Sequence, residues 1–371
     1  MRKLLTGVLS LTLVVAMFTG CGKKEETTTN EVTPTTATEA TEAPAAEATA
    51  TPEATEAPAT TEATSAKTGL AIITTVGKST PAGTEDGLAQ VDSLAIAVLV
   101  GQDGKILACD IDSSQAKMNF SKEGKLVTDI TTVFKSKQEL GTEYGMGAAS
   151  AIGKEWNEQA DAFAAYVVGK TVDEVKGIAV AEGIATDADL TSCVTIHITD
   201  FMAGVEKAVA NAQELGATST DKLGLGVATD MSKSKDATAE EAGVAQAYSF
   251  YSAVTTNAEG KITSCSIDAS QGTLNFDTTG VISTDITLAQ QSKQELKEAY
   301  GMKAASGIAK EWYEQANAFA AYATGKTIDE VKGIAVSAEG LTTDADLVSS
   351  VTVHVAPFIG IVEKAATNSA K

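Results

Sequence analysis

Apolar positions at helical spacing (Ile152, Trp156, Phe163 and Val167) predict a long helix over residues 148–168. Gly169 follows, the residue type expected just past a helix end. Thr171-Val-Asp-Glu174 and Thr327-Ile-Asp-Glu330 read as capping boxes that open a short helix. Residues 201–212 and 358–366 read as closing helices. Elsewhere the period is that of strands. Residues 94–100 form an apolar run, followed by the turn Gln102-Asp-Gly-Lys105 and a short alternating strand over 106–111, matched by 262–267. Val194-Thr-Ile-His-Ile-Thr199 alternates strictly. It predicts a strand with Val194, Ile196 and Ile198 toward the core and Thr195, His197 and Thr199 outward. Helices and strands occur without a regular βαβ order, so the predicted class is α+β.

The pattern is written twice. Residues 104–180 lie over 260–336 without a gap, and 49 of those 77 positions are identical. Such a unit is longer than a solenoid repeat and long enough to bury a core, so two tandem domains are expected, at 67–216 and 221–371. Both histidines of the chain fall at equivalent points, His197 and His354. Each follows an Asp, a Ser and a Thr: Asp189, Ser192 and Thr195 in the first copy, Asp346, Ser349 and Thr352 in the second. Threonine and histidine two residues apart on one strand share a face and can touch one ligand. The plainer alternative is a half-exposed strand with ordinary polar residues outward. One histidine per copy is too few for a metal site, and no Ser-His-Asp constellation follows from a single strand.

Other motifs have modest readings. Trp156 and Trp312 belong to a core stripe. Lys137-x-Glu139 and Lys293-x-Glu295 read as a solvated helix face. Tyr144-Gly-Met146 precedes a helix and would offer backbone N–H groups to an anion. Cys109 and Cys265 are equivalent and look like small buried hydrophobes, while a Cys109–Cys193 bridge is open to the first copy alone.

The ends and the charge set the location. Met1-Arg-Lys, an apolar run over 4–18, then Thr19-Gly20-Cys21 form the layout of a lipoprotein signal over 1–20, with Cys21 as the lipidated mature N-terminus. Residues 21–66 are mostly Thr, Ala, Glu and Pro and read as a disordered tether. With 49 acidic residues against 28 basic ones, the net charge is −21, which excludes nucleic acid as a partner. The protein is expected at the extracytosolic face of the cell membrane, held through its lipid.

The Asp189–Thr195 segment resembles the attachment motif of the FMN-binding domain family, Asp-[Ala/Gly]-x-[Ser/Thr]-Gly-Ala-Thr-[Ser/Thr], in which the threonine carries FMN through a phosphoester. Asp189, Ser192 and Thr195 match in register, as do Asp346, Ser349 and Thr352. Cys193 or Ser350 replaces the glycine, Val194 or Val351 the alanine, and Ile196 or Val353 the last hydroxyl. With the lipidated cysteine, the tether and the repeated Lys-Gln-Glu-Leu, Tyr-Gly-Met and Glu-Trp-x-Glu-Gln-Ala, the chain resembles the flavin-bearing lipoproteins of Gram-positive extracellular electron transfer. The resemblance implies one covalent FMN on each of Thr195 and Thr352, attached by an extracytosolic FMN transferase. It also implies a membrane electron donor and acceptors outside the cell. Asp189 and Asp346 would then present the threonine, and His197 and His354 would donate to phosphate or flavin. The competing class is a non-redox surface or solute-binding lipoprotein on a degenerate flavin-domain fold.

Overall fold

A computed structural model describes residues 63–370, which all lie in one compact unit, Thr60–Lys371. The signal segment 1–20, Cys21 and the tether up to residue 62 lie outside the described residues. Residues 63–66, read as the end of the tether, belong to the folded unit. Ser65 bridges Thr218, and Ala66 is buried and bonded through its N–H to Ala217.

The fold is α+β. The first half begins with an antiparallel sheet of β1 (Lys67–Thr75), β2 (Gly87–Val100) and β3 (Ile106–Phe120). After the short β4 (Val133–Phe134) come α1 (Lys137–Leu140), α2 (Trp156–Val167) and α3 (Val172–Lys176). The hairpin β5 (Val180–Ala181) and β6 (Ile184–Ala185), then α4 (Ala188–Thr191) and α5 (Thr199–Ala210), complete it. The second half repeats the order with β7 (Lys222–Asp230), β8 (Gly243–Thr256), β9 (Ile262–Phe276), α6 (Lys293–Leu296), α7 (Trp312–Ala323), α8 (Ile328–Lys332) and α9 (Ala356–Asn368). β4 leaves its own half and pairs with β7, as Val133↔Asp230 and Phe134↔Thr229.

Side chains on a strand alternate between faces, and here both faces of each sheet are covered. In β2, Ile96, Val98 and Val100 pack against α2 and α5, whereas Ala95, Ala97 and Leu99 pack with Leu225, Val227 and Tyr251 of the second half. The layers therefore run helices, sheet, sheet, helices. A second shared cluster lies farther along, where Phe120 and Phe276 stack with ring centroids 4.3 Å apart. Two ion pairs cross between the halves in mirrored fashion: Lys207 of α5 meets Glu295 of α6 at 2.6 Å, and Lys364 of α9 meets Glu139 of α1 at 2.7 Å. The expected solvated Lys-x-Glu face is thus a joint between the halves.

Both capping boxes are present, with Thr171 and Thr327 each accepting from the N–H of the glutamate three residues on. The long helix starts later than its periodicity predicts. Glu155 and Glu158 form a capping box at Trp156, and Ile152 sits in the turn before it. Cys109, Cys193 and Cys265 are free thiols, so the Cys109–Cys193 bridge left open above does not form.

Candidate functional site

The segment carrying Thr195 is an extended loop, not the expected strand. It is hung between α4 and α5, and these two helices leave it too few residues for a ladder. Val194 N–H still bonds to Leu190 C=O at 2.7 Å, in the turn that ends α4, and Ile198 N–H bonds to Gly183 C=O at 2.8 Å. A single bridge, between His197 and Ile184, joins it to the β5–β6 hairpin. Val194 and Ile198 are fully buried as expected, but Ile196 and its counterpart Val353 are only half-buried.

What holds the loop is a side chain that the sequence reading passed over. Gln159, one turn into α2, is completely buried. Its Oε1 accepts from Thr195 N–H at 2.8 Å and from Thr195 Oγ1 at 3.2 Å, while its Nε2 donates to Ser150 Oγ at 3.1 Å and Lys154 C=O at 3.0 Å. Gln315 does the same in the second half. It accepts from Thr352 N–H at 2.8 Å, Thr352 Oγ1 at 3.3 Å and Val353 N–H at 3.2 Å, and donates to Ser306 and Lys310. A carbonyl oxygen can only accept, so each threonine hydroxyl spends its proton on the glutamine. Its lone pairs stay available on a half-exposed residue.

The remaining expected residues are less converged. Asp187, not Asp189, caps α4, accepting from the N–H groups of Asp189 at 2.9 Å and Leu190 at 3.4 Å. Asp189 and Ser192 are exposed, with the Ser192 hydroxyl donating to Asp189 C=O at 3.0 Å. In the second half Asp344 caps the equivalent turn and accepts from Tyr322 OH at 2.7 Å, leaving Asp346 and Ser349 exposed. His197 and His354 are exposed and lie against the hairpin. Gly183 has φ +82°, and a Cβ there would sit 2.7 Å from the His197 ring; Gly340 is its counterpart, at φ +83° and 3.1 Å from His354. Only glycine satisfies both demands at such a position.

In the second half Thr352, Val353 and His354 line one cavity of about 820 Å³. Its wall includes Tyr248, Phe250, Tyr300 and Trp312, and Lys293 opens onto it. Lys293 is 3 % exposed. Its Nζ lies 4.4–5.0 Å from the ring centroids of Tyr300, Tyr248 and Trp312 and donates to Tyr248 OH at 2.6 Å. Burial pushes its pKa down to about 7, against an opposing pull from Asp268. Trp312 is a core residue, as expected, and also a wall of this cavity. The first half differs. Lys137 lies over only Tyr144 and Trp156, at 4.8 and 4.9 Å. By strand register Asp92 stands where Tyr248 stands, opposite Gln115 as Tyr248 is opposite Gln271, and Leu94 replaces Phe250. Asp92 is bridged by Lys78 at 2.9 Å.

The anion reading of Tyr144-Gly-Met146 fails on this geometry. Met146 N–H is taken by Glu155 Oε2 at 2.8 Å, and Met302 and Lys303 N–H groups are both taken by Glu311.

Beneath each lysine-bearing helix lies a buried carboxyl, Asp112 or Asp268. Burial raises each pKa to about 6, against the opposing effect of hydrogen bonds from the Ser136–Gln138 or Ser292–Gln294 turn. The folded pKa exceeds the unfolded value near 4, so folding takes up protons. The stabilisation is full below about pH 4 and is lost as pH rises through about 6. Asp268 Oδ1 accepts from Ala269 and Gln294 N–H, an acceptor that Asn retains, and the Ser292 hydroxyl, which also bonds the carboxyl, can turn to accept from the Asn amide. Asp268→Asn is therefore expected to raise the thermal midpoint at pH 7 and to flatten its fall between pH 4 and 7. A lower midpoint at pH 7 would contradict this.

Comparison of the chain with protein-family profiles, with curated proteins and with solved structures returns no match, so the functional reading rests on the chain's own residues.

Proposed function

We propose that the chain is a lipid-anchored, extracytosolic flavoprotein that carries covalent FMN on Thr195 and Thr352 and relays electrons to acceptors outside the cell. On this reading Cys21 is the lipidated residue, the chain from it to about residue 62 the tether, and 67–216 and 221–371 two FMN-binding-like halves of one folded unit. The partners are an extracytosolic FMN transferase and a membrane electron donor. The observation that carries the reading is the pairing of each half-exposed threonine hydroxyl with a buried glutamine, which orients the oxygen while leaving its lone pairs available.

The residues around Thr352 fit the group. A cavity of about 820 Å³ with aromatic walls and a lysine lies in the range of small-molecule sites. Its rings and Lys293 suit a planar, anionic ligand. FMN held there would supply the redox chemistry. The protein's part is to bind it, exclude water with Phe250, Trp312 and Phe358, and set the local charge with Lys293, Lys233 and Asp230. Around Thr195 the equivalent groups are Lys137, Trp156 and Asp92. Covalent attachment suits a carrier outside the membrane, because a tethered cofactor keeps a high effective concentration while a free one is diluted into bulk.

The test is flavin absorbance after coexpression with an FMN transferase, denaturation and desalting. Colour stays with the wild type, halves in Thr195→Ala and in Thr352→Ala, and vanishes in the double variant. Colour that washes away from the wild type supports the non-redox binding lipoprotein instead.

A further inference from the structure

We infer that the slit at the joint between the halves, where the edge of β1 faces α6 and α7, is a binding site for a short extended peptide with a free C-terminal carboxylate. The slit includes neither threonine, so the inference goes beyond the flavin reading and does not rest on it.

The slit encloses about 650 Å³, within the range of small-molecule sites. The outer edge of β1 and the end of α5 form one wall, and β9, α6 and α7 form the other. That edge is closed at both ends. Thr68 exchanges main-chain hydrogen bonds with Gln213, and Thr74 C=O accepts from Gln290 N–H. Outward-facing main-chain groups recur at every second residue of a strand, so those of Leu70 and Ile72 fall in the open stretch between. Their carbonyls accept from Asn211 Nδ2 at 3.0 Å and Lys207 Nζ at 2.6 Å. Their N–H groups have no partner among the described residues. A peptide laid along this edge would accept from both with its own carbonyls, as in strand addition. Amide side chains supply complementary groups. Gln294 Nε2 is spent on Ile267 C=O at 2.9 Å and Asn317 Oδ1 at 2.8 Å, which leaves Gln294 Oε1 to accept and Asn317 Nδ2 to donate. These match the N–H and C=O of a peptide bond. Leu70, Ile72 and Leu215 give the slit an aliphatic surface, and no aromatic ring lines it among the described residues.

Charge specifies the free carboxylate. Four charged side chains line the slit, Lys207, Asp268, Glu295 and Lys297, and three of them are engaged. Glu295 pairs with Lys207 at 2.6 Å. Asp268 accepts from Ala269 and Gln294 N–H and from the Ser292 hydroxyl, and its charge acts on Lys293 across α6. Lys297 takes part in none of the ion pairs among the described residues. Glu298 beside it is exposed, feels its charge and accepts from Tyr313 OH at 3.0 Å. Lys297 also holds φ +47°, the angle at which the first half has Gly141. Glycine adopts that backbone readily and lysine rarely does, so this cation is kept at a position that costs conformational strain. The equivalent slit of the first half has the opposite character. Gly141, Asp161 and Asp110 stand where the second half has Lys297, Asn317 and Ser266, so one positive charge is lost and two negative charges are gained. A carboxylate is repelled there, and the chain should bind one peptide, not two.

The experiment is calorimetric titration of the full chain in detergent, produced without a transferase, with the tripeptide Ala-Leu-Ala and with its C-terminal amide. The amide keeps every peptide group and lacks the carboxylate. The free acid is expected to bind at one per chain and about tenfold or more tightly than the amide, the scale of a charge-assisted hydrogen bond. Lys297→Gly installs the first-half residue at the same φ, which leaves the backbone unstrained; it should bring acid and amide within about threefold of each other. Asn317→Asp, also a first-half residue, should weaken the acid about tenfold or more. No binding of the acid would overturn the inference, as would equal affinity for acid and amide, two equivalent sites, or an acid preference that survives Lys297→Gly. Covalent flavinylation is read separately, by retention after denaturation, so either proposal can fail alone.

Discussion

A fragment spanning residues 221–371 is expected to lack the cooperative, concentration-independent unfolding transition expected of residues 60–371. Its length and its complete set of repeated motifs argue for independence, but its buried surface does not. Leu223, Leu225, Val227 and Tyr251 pack against Leu70, Ile72 and Leu99, and Met231, Leu274 and Phe276 pack against Val91, Met118 and Phe120. Exposing a large apolar side chain costs about 1.5–3 kcal/mol if fully uncovered, while an entire domain is stable by only about 5–15 kcal/mol. Seven such side chains losing even half their cover would consume most of that margin. The fragment would also leave Glu295 and Lys364 without Lys207 and Glu139. Denaturant titration over a range of protein concentrations distinguishes the outcomes. A broad or concentration-dependent transition is expected. Sharp, concentration-independent unfolding of a monomer would show that the halves are separate domains that merely touch.

The second large effect is expected at the buried glutamines. Gln315→Ala removes the acceptor for Thr352 N–H, Thr352 Oγ1 and Val353 N–H and the donor to Ser306 and Lys310. Leaving a buried polar group unsatisfied costs about 1–3 kcal/mol, and truncation of a fully buried side chain adds a cavity. A loss of about 3 kcal/mol in unfolding free energy is expected, with Gln159→Ala similar. Exposed Asp346→Ala should change stability by less than about 0.5 kcal/mol. If Thr352 must be held to be modified, Gln315→Ala should lower flavin loading at Thr352 under conditions where the protein remains folded. Equal stability of Gln315→Ala and Asp346→Ala would show that the glutamine does not hold the loop.

The capping boxes at Thr171 and Thr327 were legible because they are local: residue type and spacing determine the hydrogen bonds. The helix end at Gly169 was legible for the same reason, and its φ of +83° is one that glycine accepts readily. Val194–Thr199 misled because its alternation is real while its context is not that of a strand. Two helices and a hairpin claim its ends, so Val194 and Ile198 are buried by those neighbours, with no ladder to turn Ile196 inward. The joining of the halves was partly written in residues 94–100, an apolar run without alternation, as expected of a strand covered on both faces. Sequence alone could not say that the second cover was the other copy. Gln159 and Gln315 lie inside a helix stripe otherwise apolar, a signal visible in Glu-Trp-x-Glu-Gln-Ala but without a partner until the loop is folded back. Lys293 looked like half of a solvated pair; its burial depends on Tyr248, 45 residues earlier in the chain.

The central claim is that Thr195 and Thr352 are acceptors for covalent FMN, and intact mass tests it most directly. The full chain coexpressed with an FMN transferase proven active on another acceptor should gain two FMN units, each less one water, under denaturing conditions. Peptide mapping should place one on Thr195 and one on Thr352. An unmodified mass from such cells, or additions on residues other than these two threonines, would contradict the account.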